Sequence, residues 1–174
     1  MAIPAIAAAL SRGLVADVLG SVAGLQLSID VRLDAEGLKQ LKGKRRTAVY
    51  RAVNRAAKPV KEAVIANASK LKRTGALAKA IGTKTRIYAG GVVTVIGPKM
   101  SFKRRTKTKK KGPNKGTRSN IRPYLYANLL EKGTIRAAAK PFLEPAWDAH
   151  GPGYMRRVRA EIAAELAAVM QSGG

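Results

Sequence analysis

The sequence predicts an α+β domain: a small, largely antiparallel sheet of three or four strands packed against a long kinked helix and a C-terminal helix. An extended N-terminal helix or arm and a long basic loop complete the expectation. Three observations carry it. Residues 25–33, LQLSIDVRL, alternate apolar and polar without a break, the period of a half-buried strand. Val49, Val53, Ala57, Val60, Val64 and Leu71 recur on one helical face of the next segment. Residues 83–98, TKTRIYAGGVVTVIGP, hold two β-rich runs around a Gly-Gly pair, the pattern of a hairpin.

In chain order, Ile3, Ile6, Leu10, Leu14, Val18 and Val22 fall three and four apart. They predict a helix over 3–22, weakened by Gly13 and Gly20, that docks on its own core or on a neighbouring subunit. The strand at 25–33 follows, and Asp34 suits a helix N-cap. From 35 to 71 the pattern is helical, with Gly43 dividing a short helix from a long one. Pro59 lies inside the long one; its ring crowds the carbonyl of Arg55 and removes a donor, so a kink is expected there. The hairpin is expected to turn at Gly90-Gly91 and to end at Gly97-Pro98. Beyond the basic run, Tyr126, Leu129 and Leu130 suit a short helix stopping at Gly133. Residues 137–153 are proline-punctuated, with Phe142 and Trp147 as bulky anchors. A last helix is expected over 154–170, with Val158, Ile162, Leu166 and Val169 on one side. Arg156, Arg157 and Arg159 oppose its dipole at about 0.3–1 kcal/mol each, relieved by solvation or by a facing anion. The organisation expected is an arm over 1–24 and one domain over 25–174, with a basic insertion at 99–122.

Charge is the strongest global signal. The chain has 34 Lys+Arg against 10 Asp+Glu, a formal +24. Removing the ten bases between Lys99 and Arg118 still leaves 24 against 10, so the folded part is basic too. Self-repulsion of this size asks for a polyanion or an acidic partner: nucleic acid first, an acidic protein surface second, an anionic membrane third. There is no cysteine, which excludes disulfides, thiolate catalysis and cysteine-ligated zinc. The N-terminus lacks a basic n-region, so no secretory signal is expected. No charge-free apolar run reaches the roughly 18 residues of a membrane span, and folding in a cytoplasm is expected.

Residues 101–120, SFKRRTKTKKKGPNKGTRSN, carry nine bases and no acid. They are Lys103, Arg104, Arg105, Lys107, Lys109, Lys110, Lys111, Lys115 and Arg118. Such a composition buries no core. Phe102 is its only aromatic, so base stacking is poorly supported; phosphate contact without sequence reading fits better. A solvated loop is the plain alternative. No catalytic site emerges. His150 sits beside a turn with no nucleophile implied. The acids are scattered, and GPNKGTRS fails the phosphate-loop spacing, with Gly112 and Gly116 four apart and no lysine between Gly116 and Thr117. No metal or cofactor is expected.

The segment KLKRTGALAKAI at 70–81, then YLYANLLEKGT, then AAAKPFLEPAWD, together resemble the tail-completion or neck proteins of long-tailed bacteriophages, of minor tail protein Z type. The matching positions are Thr74, Gly75 and Leu77; Tyr126, Ala127, Glu131, Gly133 and Thr134; and Pro141, Phe142, Leu143, Pro145 and Ala146. The resemblance covers roughly residues 40–170. The segment before about 35 has no counterpart in that pattern, and the family's loop after the hairpin is usually shorter. The resemblance implies a structural virion protein, not an enzyme, made in the host cytoplasm and placed at the neck. It implies a homo-oligomeric ring, taken as a hexamer, among neck and tail proteins. The basic loop would meet the DNA end, without sequence specificity, or acidic neighbours. Gly75 and Gly133 read as helix-end positions, Phe142 and Trp147 as core anchors. Glu131 reads as paired with a nearby base, or as an intersubunit contact. The alternative function is a cellular, sequence-nonspecific nucleic-acid-binding protein of ribosomal or nucleoid type; an enzyme ranks third.

Overall fold

The computed structural model describes residues 15–23, 26–33, 43–71, 75–88, 91–105, 113, 116 and 120–171. Among them the strands are β1 (Val15–Ala23), β2 (Gln26–Leu33), β3 (Ile81–Tyr88), β4 (Gly91–Pro98), β5 (Arg104–Arg105) and β6 (Asn120–Ile121). The helices are α1 (Lys44–Ala56), α2 (Lys58–Lys70), α3 (Ala76–Ala80), α4 (Pro123–Lys132), α5 (Glu144–His150) and α6 (Tyr154–Gln171). An antiparallel sheet runs in the order β1-β2-β4-β3, and β5 and β6 form a separate short ladder.

The alternation of β2 decides which face of the sheet is covered. Leu27, Ile29 and Val31 are fully buried, while Arg32 is exposed. Across the ladder they pair with Ile96, Thr94 and Val92 of β4, also buried. Thr94 is the polar member of this layer. Its hydroxyl lies 3.0 Å from that of Thr85, which donates to Asn54 Oδ1 at 2.7 Å. The buried hydroxyls are thereby satisfied, and β4, β3 and α1 are joined.

The expected kink is present. Pro59 stands in the first turn of α2, where a missing N–H costs nothing. The break falls at Ala57, two residues earlier. Ala57 donates to Val53 O at 3.1 Å, and Lys61 donates back to Ala57 O at 3.0 Å. Val49, Val53, Ala57, Val60 and Val64 are all buried, and Leu71 packs against them. The bend lets the two halves serve different neighbours: α1 lies along α6, and α2 meets α3 and α5.

On α6, Val158, Ile162 and Leu166 are buried and Val169 packs at the margin. Buried Glu165 binds Arg55 Nη1 at 2.6 Å and Arg51 Nε at 3.3 Å. Tyr154, fully buried, donates its hydroxyl to Val53 O at 3.3 Å. Burial pushes that hydroxyl well above the usual tyrosine range, with the Arg157 guanidinium pulling the other way.

Two expectations are corrected. The helix foreseen over 3–22 is, over its described part, the strand β1; residues 1–14 lie outside the described residues. The spacing of four between Val18 and Val22 suits a strand as well as a helix, since four is also a multiple of two. The register sets them opposite Val31 and Leu27. With only residues 24 and 25 between the strands, pairing with β2 wins over weak helix propensity at Gly20 and three valines. The hairpin connection is 89–90, not Gly90-Gly91, because Tyr88 pairs with Gly91. At Gly91, β4 passes close against β2: a Cβ there would meet Val31 O at 2.5 Å. The helices α3 and α5 were not foreseen; His150 closes α5, beside the turn at 152–153. The short helix expected before Gly43 lies outside the described residues.

Candidate functional site

Among the described residues, the helices cover one face of the sheet and none covers the other. On that outer face β3 places Lys84, Arg86 and Tyr88 at alternate positions, opposite Val95, Val93 and Gly91 of β4. Lys84, Arg86 and Tyr88 are exposed. They line a groove of about 580 Å³ together with Lys99 and Met100. Lys99 reaches it because its stem lies over Gly82, in space a side chain there would fill. Its own N–H is held by Ala80 O at 2.9 Å. Asp30, opposite Val93, is the acid on this face among the described residues of β2, β3 and β4.

The basic run leaves directly from this groove. Phe102 donates its N–H to Lys99 O at 3.1 Å, closing a turn after β4. Arg104 then pairs with Ile121 and Arg105 with Asn120. This ladder clamps both ends of 106–119 at one strand spacing, about 5 Å, so the run departs from and returns to one place on the domain. Lys103 and Arg104 are exposed. Lys107, Lys109, Lys110, Lys111, Lys115 and Arg118 lie outside the described residues, as does the side chain of Arg105. Lys84, Arg86 and Lys99 were missed from the sequence as site residues. The signal was present in KTRIY, where Lys84, Arg86 and Tyr88 sit two apart, out of phase with Ile81, Thr85 and Ile87.

The motif positions come together elsewhere. Gly75 precedes α3 at φ 62° and Gly133 ends α4 at φ 75°, so both are the positive-φ positions expected. Leu77, Ala127, Phe142, Leu143 and Ala146 are buried; Tyr126 packs against them; Pro141 and Pro145 are exposed. Thr134 bridges to Ala137. Thr74 lies outside the described residues. Glu131 is buried, but its partner is not the expected base. Its carboxylate accepts the N–H groups of Phe142 at 2.8 Å, Leu143 at 3.2 Å and Glu144 at 3.0 Å. The carboxylate thus holds the entry to α5 against the end of α4. Trp147 is half-buried, 6.2 Å from the Tyr154 ring.

The cations of the groove, with Lys103 and Arg104 at the loop base, are exposed; among the described residues no group of His, Cys, Asp and Glu could hold a metal ion. Residues 35–133, more than half of the chain, match the family model described as "Bacteriophage HK97-gp10, putative tail-component". No match was found among curated proteins or solved structures. The matched span takes in α1 to α4, the hairpin, the basic run and the motif positions from Thr74 to Gly133; Thr134 and Pro141 to Ala146 lie just past its end. Matched over that span, the chain belongs to the HK97-gp10-like family of bacteriophage tail components.

Proposed function

We propose that this tail component completes the tail at its head-proximal end and joins it to the head in a homo-oligomeric neck ring, with the basic loop directed at the DNA end. The observation that carries the reading is the clamped base of the loop beside the Lys84–Arg86–Lys99 groove. A basic tail free at one end would wander. A loop tied to a folded subunit is held in place, and ring symmetry repeats it around an axis. Around DNA, loop and groove would form a continuous cationic collar that reads charge and not sequence. Outward, the same cations would clamp acidic neck proteins; the dense phosphate column of a DNA end is the stronger attractor for so many bases. Membership of a phage tail family sets aside the ribosomal or nucleoid reading. In this role the protein is structural and carries out no catalysis.

The test replaces Lys103, Arg104, Arg105, Lys109, Lys110 and Lys111 with serine. In particles, tails carrying the variant should join heads poorly or fail to retain DNA. With the purified protein, about five phosphate contacts would give a log–log salt slope near −4.5 on duplex DNA, and the variant should flatten it. Normal joining with full DNA retention would end the loop reading, and a cryo-EM map of the neck without this chain would end the placement.

A further inference from the structure

On α4 the faces are reversed in one respect. Pro123, Ala127 and Glu131 are buried against the domain. The opposite pole, which an amphipathic helix gives to polar residues, carries Leu125 and Leu129, four apart, 67% and 52% exposed. Just past the helix, Ile135 stands fully exposed in the tight Thr134–Ala137 turn. A single exposed leucine means little; three large apolar side chains within eleven residues, on a helix whose core face is complete, form a patch. Its rim is of one sign. Arg122, Lys132, Arg136 and Lys140 are exposed. Between 120 and 143 the only acid is Glu131, already engaged by three amides.

We infer that the outward face of α4 and the turn after it dock an acidic partner protein that presents apolar side chains. Charge complementarity selects that occupant over a second copy of the chain. A copy docked face to face would bring the same cations to the same rim, and a copy docked by another face would bring a chain of formal +24; like charges across an interface are costly. An acidic surface would neutralise the rim while its apolar side chains cover Leu125, Leu129 and Ile135, the arrangement of an apolar centre within a polar border. DNA does not explain this face, since phosphates gain nothing from three aliphatic side chains. The inference stands apart from the reading of the basic loop.

The test uses two synthetic helical peptides with the same leucines at i, i+3, i+4 and i+7, one filled with glutamate and one with lysine. Binding is read by fluorescence anisotropy at 0.15 M salt. The triple variant Leu125→Ser, Leu129→Ser, Ile135→Ser keeps every charge and should bind the acidic peptide at least tenfold more weakly than the native chain. The six-serine loop variant should bind it within about threefold of native, and the lysine peptide should not bind. Photo-crosslinks from the acidic peptide to the native protein should fall within 122–136. Equal binding by the triple variant, or crosslinks confined to 101–120, would show simple charge attraction and overturn the proposal. Sedimentation provides the remaining arm: if the triple variant dissociates an oligomer that the native chain forms, the face is a self-interface and the acidic partner is refuted.

Discussion

At the scale of single residues, Glu131 and two glycines show what the motif positions are for. The Glu131 carboxylate receives three backbone amides in a buried site. Hydrogen bonds to a charged acceptor contribute about 1.5–3 kcal/mol each, and buried donors left alone cost a similar amount. Glu131→Gln keeps the shape, removes the charge and turns an NH₂ toward amides, so a loss of about 2–3 kcal/mol in urea denaturation is expected. A loss under half a kilocalorie would mean that the seam between α4 and α5 is held by packing alone. The glycines separate two causes. Gly75 has φ 62° with open space where a Cβ would go, so Gly75→Ala should cost only the left-handed backbone penalty, about 1–2 kcal/mol. Gly133 has φ 75° and ψ −174°, and a Cβ would meet Ala139 N at 2.7 Å and Ala137 O at 2.9 Å. Gly133→Ala should therefore be the worse of the two, by roughly 1–3 kcal/mol of added strain; equal losses in parallel melts would contradict this account.

At the scale of elements, legibility followed from how far each pattern constrains the backbone. The five-fold alternation from Leu25 to Leu33 admits one secondary structure, and β2 is that strand. The valine ladder from Val49 to Val64 fits only a helix, and those valines are the core of α1 and α2. The segment before β2 was misread because Val18 and Val22 satisfy both periods; pairing with β2 decides, and pairing is not visible locally. The α3 and α5 helices are five and seven residues long, too short to show periodicity, and α5 depends on a carboxylate thirteen positions away from Glu144. The groove was half-legible: its β3 residues alternate in the sequence, but Lys99 joins them only through the fold. Pro59 offers a test of the helix break. Were it interrupting one continuous helix, Pro59→Ala would stabilise by roughly 3 kcal/mol. Standing in the first turn of α2, it mainly restricts the unfolded chain, so the substitution should destabilise by about 0.4–1 kcal/mol. The sign of the shift in denaturation midpoint decides between the two.

At the scale of the whole molecule, stability and charge are coupled. The ion pairs among the described residues tie Arg51, Arg55 and Lys58 to Glu62, Glu161 and Glu165, and Glu131 is spent on amides. Against a formal +24, these leave a large surplus of bases repelling one another across the surface. Screening should therefore stabilise the fold, the reverse of what salt does to a protein held by surface ion pairs. Raising salt from about 0.01 to 0.15 M shortens the Debye length from about 30 to about 8 Å. A gain of about 1 kcal/mol would then raise Tm by roughly 2–4 °C. The six-serine loop variant locates the repulsion. With the ten bases from Lys99 to Arg118 set aside, 24 bases still face 10 acids, so most of the repulsion belongs to the folded part. The variant should keep most of the rise in Tm while losing much of the salt slope on DNA. A Tm that falls with salt would show the surface pairs to dominate. A rise abolished in the variant would place the repulsion in the loop.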